Sequence, residues 1–123
     1  MALDIHHIFP RAWCQENGIE RSEYDSIINR TPISSRANKM IGRKAPSEYL
    51  IALQSHNQVG LTDEEMNRIL STHRIPFAPL RSDDFRTFYS HRKRALIELI
   101  EIATKISVHR DQSDEAETIG MAE

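Results

Sequence analysis

Apolar residues in the middle of the chain recur at three- and four-residue steps, which places them on one face of a helix. The segment PSEYLIALQ predicts a first helix, because Pro46 suits the first helical turn. Thr62 and Glu65 have the spacing of a capping box, and the apolar positions after them predict a second helix over about 63–72. We therefore expect the centre of the chain to be helical.

A longer helix is predicted further on. Ser82, with Asp83 and Asp84 after it, is expected to begin this helix. Apolar residues at three- and four-residue steps extend the prediction to about residue 107. Pro76 and Pro79 predict that the HRIPFAPLR segment before it contains no regular helix. We expect the long helix to dock through an aromatic core that consists of Phe77, Phe85, Phe88 and Tyr89.

The first 45 residues consist of shorter segments separated by turn residues. Residues 2–5 predict a short strand, and a helical turn over 11–16 is expected to follow Pro10. Asn17-Gly18 is typical of a turn. An irregular connection is therefore expected after the first strand.

A second strand is predicted over RTPIS at 30–34, where Pro32 confines it to an edge or a bulge. Ser34 or Ser35 is expected to cap a brief helix over RANKMI, which Gly42 ends. The predicted order is strand, connection, strand, helix, followed by more helices. The expected fold class is α+β.

Composition indicates a single soluble domain. The chain has 123 residues, and domains most often have about 100–150. Cys14 is the only cysteine, so no disulfide can form within the chain. No apolar run approaches the roughly 20 residues of a membrane span, and the start of the chain lacks the features of a signal peptide. We expect a cytoplasmic protein with no membrane partner.

The net charge of -2 conceals an uneven distribution. Residues 109–123 hold one arginine and five acidic residues, a net charge of -4, and the rest of the chain carries +2. We expect this acidic tail to be disordered. The segment 29–44 holds five basic residues and no acidic one, so a local basic patch is predicted.

Three features of the first part carry candidate chemistry. His6-His7 stands directly before Ile-Phe-Pro, Asn29 precedes the second strand, and Asn38 lies in the short helix. A strand, a connection and a helix in this order can bring these side chains together. Imidazole can bind a divalent metal or accept a proton near neutral pH, and an amide oxygen can bind a hard cation. Such a site would suit phosphodiester hydrolysis.

The runs HHIFP, NRTPISSRANK and KAPSEYL resemble the HNH nuclease domain, the ββα-metal finger. More narrowly, they resemble the C-terminal nuclease domain of GmrSD-type modification-dependent restriction endonucleases. The resemblance covers residues 4–50 well. It implies a nuclease domain over 1–108, with a ββα-metal core at 1–45 and a helical extension at 46–108. The implied activity is cleavage of DNA within a larger phage-defence or restriction enzyme.

The resemblance also implies individual roles. His7 corresponds to the general base that activates water, and Asn29 to the central asparagine that holds the loop and orients this base. His6 corresponds to the first metal ligand, where many HNH nucleases have Asp, and Asn38 to the second. Mg or Mn is the expected divalent metal, although imidazole also favours Mn, Ni, Co and Zn over Mg.

Basic residues beside this site have two interpretations. Arg36, Lys39, Arg43 and Lys44 form either a solvated helix face or a surface that contacts DNA phosphates, and we favour DNA contact. No element resembles a base-reading helix, so weak sequence specificity is expected.

Other candidate residues are interpreted structurally. Cys14 is expected to be a buried thiol, and a zinc site made of His6, His7 and Cys14 lacks the paired spacing of structural zinc motifs. His73 and Arg92 can approach the site from the helical half, where a structural hydrogen bond is the default expectation.

The alternative function is a catalytically inactive HNH-like module that binds nucleic acid or docks a partner. The resemblance implies a fused or separate nucleotide-hydrolysing recognition domain as a partner, and no phosphate-binding glycine loop occurs among the four glycines. One active site gives one nick, so a double-strand break would require two domains, for example in a homodimer.

Overall fold

The computed structural model describes residues 3–56 and 60–119, with side chains as far as residue 105. Within these residues, the fold combines one two-stranded antiparallel sheet with seven α-helices. The α+β class predicted from the sequence is therefore confirmed.

The sheet pairs β1 (Leu3–His7) with β2 (Arg30–Ser34). Both strands were predicted, although β1 continues to His7 and Ala2 lies outside the described residues. Pro32 lies within β2, opposite Ile5. Both strands of this pair are edges, so the missing N–H of proline is tolerated there.

The connection between the strands contains α1 (Arg11–Glu16), α2 (Arg21–Tyr24) and a 3₁₀ turn (Ile27–Asn29). The helical turn after Pro10 is confirmed as α1. Gly18 has a φ of +72°, as the predicted turn requires. The sequence did not predict α2 or the 3₁₀ turn, because segments of three or four residues are too short to show a periodicity.

Two helices follow β2 as predicted. In α3 (Ser35–Ile41), the Ser34 side chain is the cap, because its Oγ accepts the N–H of Ala37 at 3.2 Å. Gly42 ends this helix with a φ of +51°. The next helix, α4 (Pro46–Gln54), begins at its proline.

The capping box of α5 (Asp63–Thr72) is confirmed by both of its hydrogen bonds. The prediction of no regular helix in HRIPFAPLR is wrong, because α6 (Phe77–Arg81) lies in this segment. Pro79 is its third residue, where an α-helix leaves the backbone N–H without a partner in the helix. The proline therefore removes no hydrogen bond from α6.

The last helix, α7 (Phe85–Ile119), begins after Asp84, which accepts the N–H of Thr87 at 3.2 Å. It continues past the predicted end near residue 107 into the acidic tail that we expected to be disordered. No proline or glycine interrupts the sequence between Phe85 and Ile119, and residues 120–123 lie outside the described residues. The division into a 1–45 core and a 46–108 extension stays a prediction.

The helices in the described ranges include none that is long and apolar enough to cross a membrane.

The hydrophobic core is centred on Phe9, directly after β1. Its ring lies 4.9 Å from that of Phe88, 5.2 Å from that of Phe85 and 5.1 Å from that of Trp13, centroid to centroid. The aromatic docking of α7 is confirmed for Phe85 and Phe88. The prediction that Phe77 belongs to this core is wrong, because this residue is 41% exposed and α6 buries Pro79 and Leu80 instead.

The buried Arg92 side chain joins α7 to the strands. Its guanidinium donates hydrogen bonds to the carbonyls of Ile27 at 3.1 Å, Ile28 at 2.6 Å and Arg30 at 3.0 Å. A fourth bond reaches the carbonyl of His73 at 3.2 Å. Burial lowers the pKa of Arg92, yet an arginine with so high an ordinary pKa keeps its charge. The expectation of a structural hydrogen bond for Arg92 is confirmed.

We predict that Arg92→Leu lowers the free energy of unfolding by about 3 kcal/mol, because it leaves four carbonyls without their charged donor. Urea unfolding measures this change. Arg94→Leu is the matched control, since Arg94 is exposed on the same helix, and it should change stability by less than about 0.5 kcal/mol. If the two substitutions lower the free energy of unfolding equally, the hydrogen bonds of Arg92 do not stabilise the fold more than an exposed arginine does.

Candidate functional site

The imidazole of His7, at the end of β1, is paired with a carboxylate. His7 Nε2 lies 2.8 Å from Asp25 Oδ1, and the Nε of Arg21 donates to Asp25 Oδ2 at 3.0 Å. These two hydrogen bonds, that of His7 first, lower the pKa of Asp25 to about 2. Asp25 is therefore a carboxylate near neutral pH and can only accept, so His7 Nε2 carries the hydrogen. In the neutral ring, the lone pair is then on Nδ1, which can accept a proton.

The side chain of Asn29 is fully buried and joins the two segments that carry this pair. Its Oδ1 accepts the N–H of Phe9 at 2.8 Å. Its Nδ2 donates to the carbonyl of Phe9 at 3.0 Å and to that of Tyr24 at 2.9 Å. Phe9 lies two residues after His7 and Tyr24 directly precedes Asp25. The amide of Asn29 therefore fixes the position of the histidine relative to its carboxylate.

Further bonds hold the backbone just after His7. The Tyr49 hydroxyl donates to the carbonyl of Ile8 at 2.6 Å, and the N–H of Ile8 donates to the carbonyl of Asn29 at 2.8 Å. The Cys14 thiol lies 3.6 Å from the carbonyl of Phe9. Burial raises the pKa of Cys14 to about 12, with a smaller contribution from the charge of Asp25. The predicted buried thiol is confirmed, and it stays protonated.

His6 and His7 lie on opposite faces of the strand pair. In the antiparallel register, His6 faces Thr31, whose hydroxyl lies 3.3 Å from His73 Nδ1, whereas His7 faces Arg30, which lies 3.5 Å from the Asp25 carboxylate. The Nε2 of His6 is buried and makes no hydrogen bond to any described residue. Imidazole nitrogens are common metal ligands, so His6 is one residue here that could hold a cation.

Asn38 is half-buried on α3, which packs against both strands. Its side chain makes no hydrogen bond within the described ranges, so its amide oxygen is available. The described residues contain no group of three or more His, Cys, Asp or Glu side chains that could hold a metal ion. They do not assemble His6, His7 and Cys14 into a zinc site. A site of His6 and Asn38 alone would suit a cation that keeps several waters and also binds phosphate oxygens, as Mg²⁺ does.

The structure separates the four basic residues that were predicted to contact DNA. Arg43 is paired with Glu16 at 3.1 Å, and the Lys44 ammonium donates to the carbonyl of Met40 at 3.0 Å. Arg36 and Lys39 instead line a shallow cavity of about 710 Å³, together with Ser35, Met40 and His56.

Sequence reasoning missed Asp25 and His56. Asp25 lies in a segment that also holds three glutamates, and no local pattern distinguishes it from them. His56 joins the cavity through the packing of α4 against α3, which is a tertiary contact. The pairing of Asp25 with His7 depends on the tertiary path of the connection, which the sequence does not signal.

Comparison with known proteins adds little. No protein-family model matches the chain, and no solved structure matches it significantly. An uncharacterized protein of the archaeon Methanocaldococcus jannaschii is 33% identical over 119 residues, a match that covers 80% of this chain and 20% of the relative. The chain thus spans about a fifth of the length of this curated relative.

We predict that Asp25→Asn reduces the pH dependence of stability between about pH 4 and pH 2. The pKa of Asp25 is lowered from 3.8 to about 2 in the folded chain, so the folded state favours the carboxylate. Its stabilising effect is complete above about pH 4 and is lost as the pH falls towards 2. Urea unfolding of the wild type and of Asp25→Asn between pH 5 and pH 2 measures how the free energy of unfolding depends on pH. Glu64→Gln, at an exposed carboxylate, is the control.

The stability difference between wild type and Asp25→Asn should shrink as the pH falls. A difference that stays constant from pH 5 to pH 2 would contradict the assignment of Asp25 as the charged partner of His7.

Proposed function

We propose that the chain is a metal-dependent HNH endonuclease domain that hydrolyses DNA phosphodiester bonds. In this proposal β1, β2 and α3 form the ββα-metal finger, and the domain is the cleavage part of a larger phage-defence or restriction enzyme of the GmrSD type. The observation that carries it is the buried Asn29 amide, which holds the backbone after His7 against the segment that ends in Asp25. This matches the role that the HNH resemblance implies for the central asparagine.

The element order is also what the proposal requires. His7 ends β1, Asn29 directly precedes β2, and Asn38 lies on the helix that follows β2. The end of β1, the 3₁₀ turn directly before β2 and the helix α3 therefore carry the three side chains. The register of the strand pair also supports the proposal, because it places His7, at the end of β1, opposite Arg30, at the start of β2.

In the proposed reaction, His7 is the general base. Its Nδ1 takes a proton from the attacking water, and Asp25 stabilises the imidazolium that forms. Asp25 also keeps the hydrogen on Nε2, so that the lone pair faces away from the carboxylate. Arg21 binds the second carboxylate oxygen and keeps Asp25 oriented.

His6 and Asn38 would hold the divalent metal, Mg or Mn. The metal would supply positive charge for the phosphate and leaving oxygens. Both protein ligands are neutral, so the site has less negative charge than one with Asp at position 6. Because His6 and His7 lie on opposite faces of β1, the phosphate would have to lie across the end of this strand, between the metal held by His6 and the water beside His7.

DNA as the substrate, the nucleotide-hydrolysing partner domain and the homodimer all stay predictions. One such domain would cut one strand. A double-strand break would require a second active site, from another copy or from a second binding event.

We predict that His7→Ala abolishes nicking of supercoiled plasmid in Mg or Mn and leaves the fold intact. The loss of the base should reduce the rate by at least about 100-fold. His91→Ala is the matched control, since His91 is exposed on α7, and it should nick at the wild-type rate. Circular dichroism of each variant checks the fold.

Unchanged nicking by purified His7→Ala would refute this assignment of the base. A wild-type chain that binds DNA but nicks no plasmid in either metal would favour the alternative function, a catalytically inactive HNH-like module.

A further inference from the structure

The shallow cavity beside α3 has a cationic lining. Its volume is about 710 Å³, and the described residues that line it are Ser35, Arg36, Lys39, Met40 and His56. No acidic side chain is among these described residues. An arginine, a lysine, a hydroxyl and an imidazole therefore border a space that is open to solvent.

The unpaired charges of the basic segment converge on this cavity. Arg43 is paired with Glu16 on the surface, and the Lys44 ammonium donates to the carbonyl of Met40 in the preceding helix. The charged groups of Arg36 and Lys39 have no ion-pair or hydrogen-bond partner in the part of the chain that the structure describes. They stand three residues apart on α3 and so share one helix face. Like charges at this spacing repel one another, and an anion bound between them would offset the repulsion.

The cavity lies on the same helix as the proposed metal ligand Asn38, and this position favours a DNA strand as its ligand. Asn38 and the cavity residues Arg36 and Lys39 lie on the same helix, although the Asn38 side chain does not line the cavity. Because α3 has seven residues and is about 10 Å long, a DNA strand bound at Asn38 would pass Arg36 and Lys39 within a few nucleotides. Among the described residues of the lining, none carries a phenyl, phenol or indole ring on which a base could stack. It therefore suits the sugar-phosphate backbone and not the bases.

We propose that this cavity binds the phosphodiester backbone of the DNA strand beside the bond to be cut. The proposal rests on the proposed nuclease function and adds to it a second phosphate position that Arg36, Lys39 and His56 create. Arg36 can bind phosphate oxygens with two N–H groups, and Lys39 acts as a point charge. Such contacts position the strand without reading its sequence.

The test compares two double variants that remove the same charge. Arg36→Gln with Lys39→Gln changes the cavity, whereas Lys93→Gln with Arg94→Gln changes two exposed cations of α7. Fluorescence anisotropy of a duplex oligonucleotide in EDTA measures affinity without cleavage, at several salt concentrations. The cavity variant should bind about tenfold more weakly, with the slope of log K against log salt reduced by about two.

The control variant should change the affinity by less than about threefold. Equal losses in the two variants would overturn the proposal, because net charge alone would then explain binding. Wild-type affinity in the cavity variant would also overturn it. The absence of duplex binding by the wild-type chain at low salt would do the same.

Plasmid nicking separates this proposal from the nuclease proposal. The cavity variant should raise KM and leave kcat nearly unchanged, because the cavity holds substrate and does not touch the reacting bond. His56→Ala should act in the same direction with a smaller effect. If the cavity variant nicks with an unchanged KM, the proposal that the cavity binds DNA is contradicted and the nuclease proposal is not. If the wild-type chain binds duplex DNA but never nicks it, the nuclease proposal is contradicted and the cavity proposal is not.

Discussion

The buried amide of Asn29 is the interaction on which the candidate site depends. It satisfies the N–H and the carbonyl of Phe9 and the carbonyl of Tyr24, all within a connection built from helices of four to six residues. Such short helices have few hydrogen bonds of their own. Each backbone group left unpaired by loss of this amide would cost about 1–3 kcal/mol. Aspartate could not replace it, because a carboxylate cannot donate to the two carbonyls.

Arg92 completes this arrangement from the helical half. Its guanidinium binds the carbonyls of Ile27, Ile28 and Arg30, which flank Asn29 in the chain, and it also binds the carbonyl of His73. The segment that precedes β2 is therefore held on one side by its own asparagine and on the other by α7. This explains why the helices after α4 matter to a site made mostly by the first 45 residues. They orient the backbone against which His7 and Asp25 are placed.

Much of the fold could be predicted because its signals are local. Ser34, Thr62 and Gly42 act on helix ends within a few residues, and the two strands have turn residues near their ends. The position of Pro79 within the first turn of α6 was not foreseen, because two prolines so close together usually indicate a loop. The pairing of Asp25 with His7 spans 18 residues and depends on the tertiary path of the connection, as does the place of His56 beside α3. The residue types were enough to predict the candidate chemistry. The packing was needed to show that Arg43 and Lys44 have partners among the described residues, whereas Arg36 and Lys39 line a cavity.

The most direct test of the account is the anomalous scattering of a crystal soaked in MnCl2. In the proposed function, the buried Nε2 of His6, which has no hydrogen-bond partner among the described residues, and the amide of Asn38 would hold a divalent ion near the end of β1. This proposal predicts an anomalous peak bonded to both side chains, with the Asn29 bonds and the His7–Asp25 pair unchanged. Manganese bound elsewhere, with His6 and Asn38 both without metal, would contradict it.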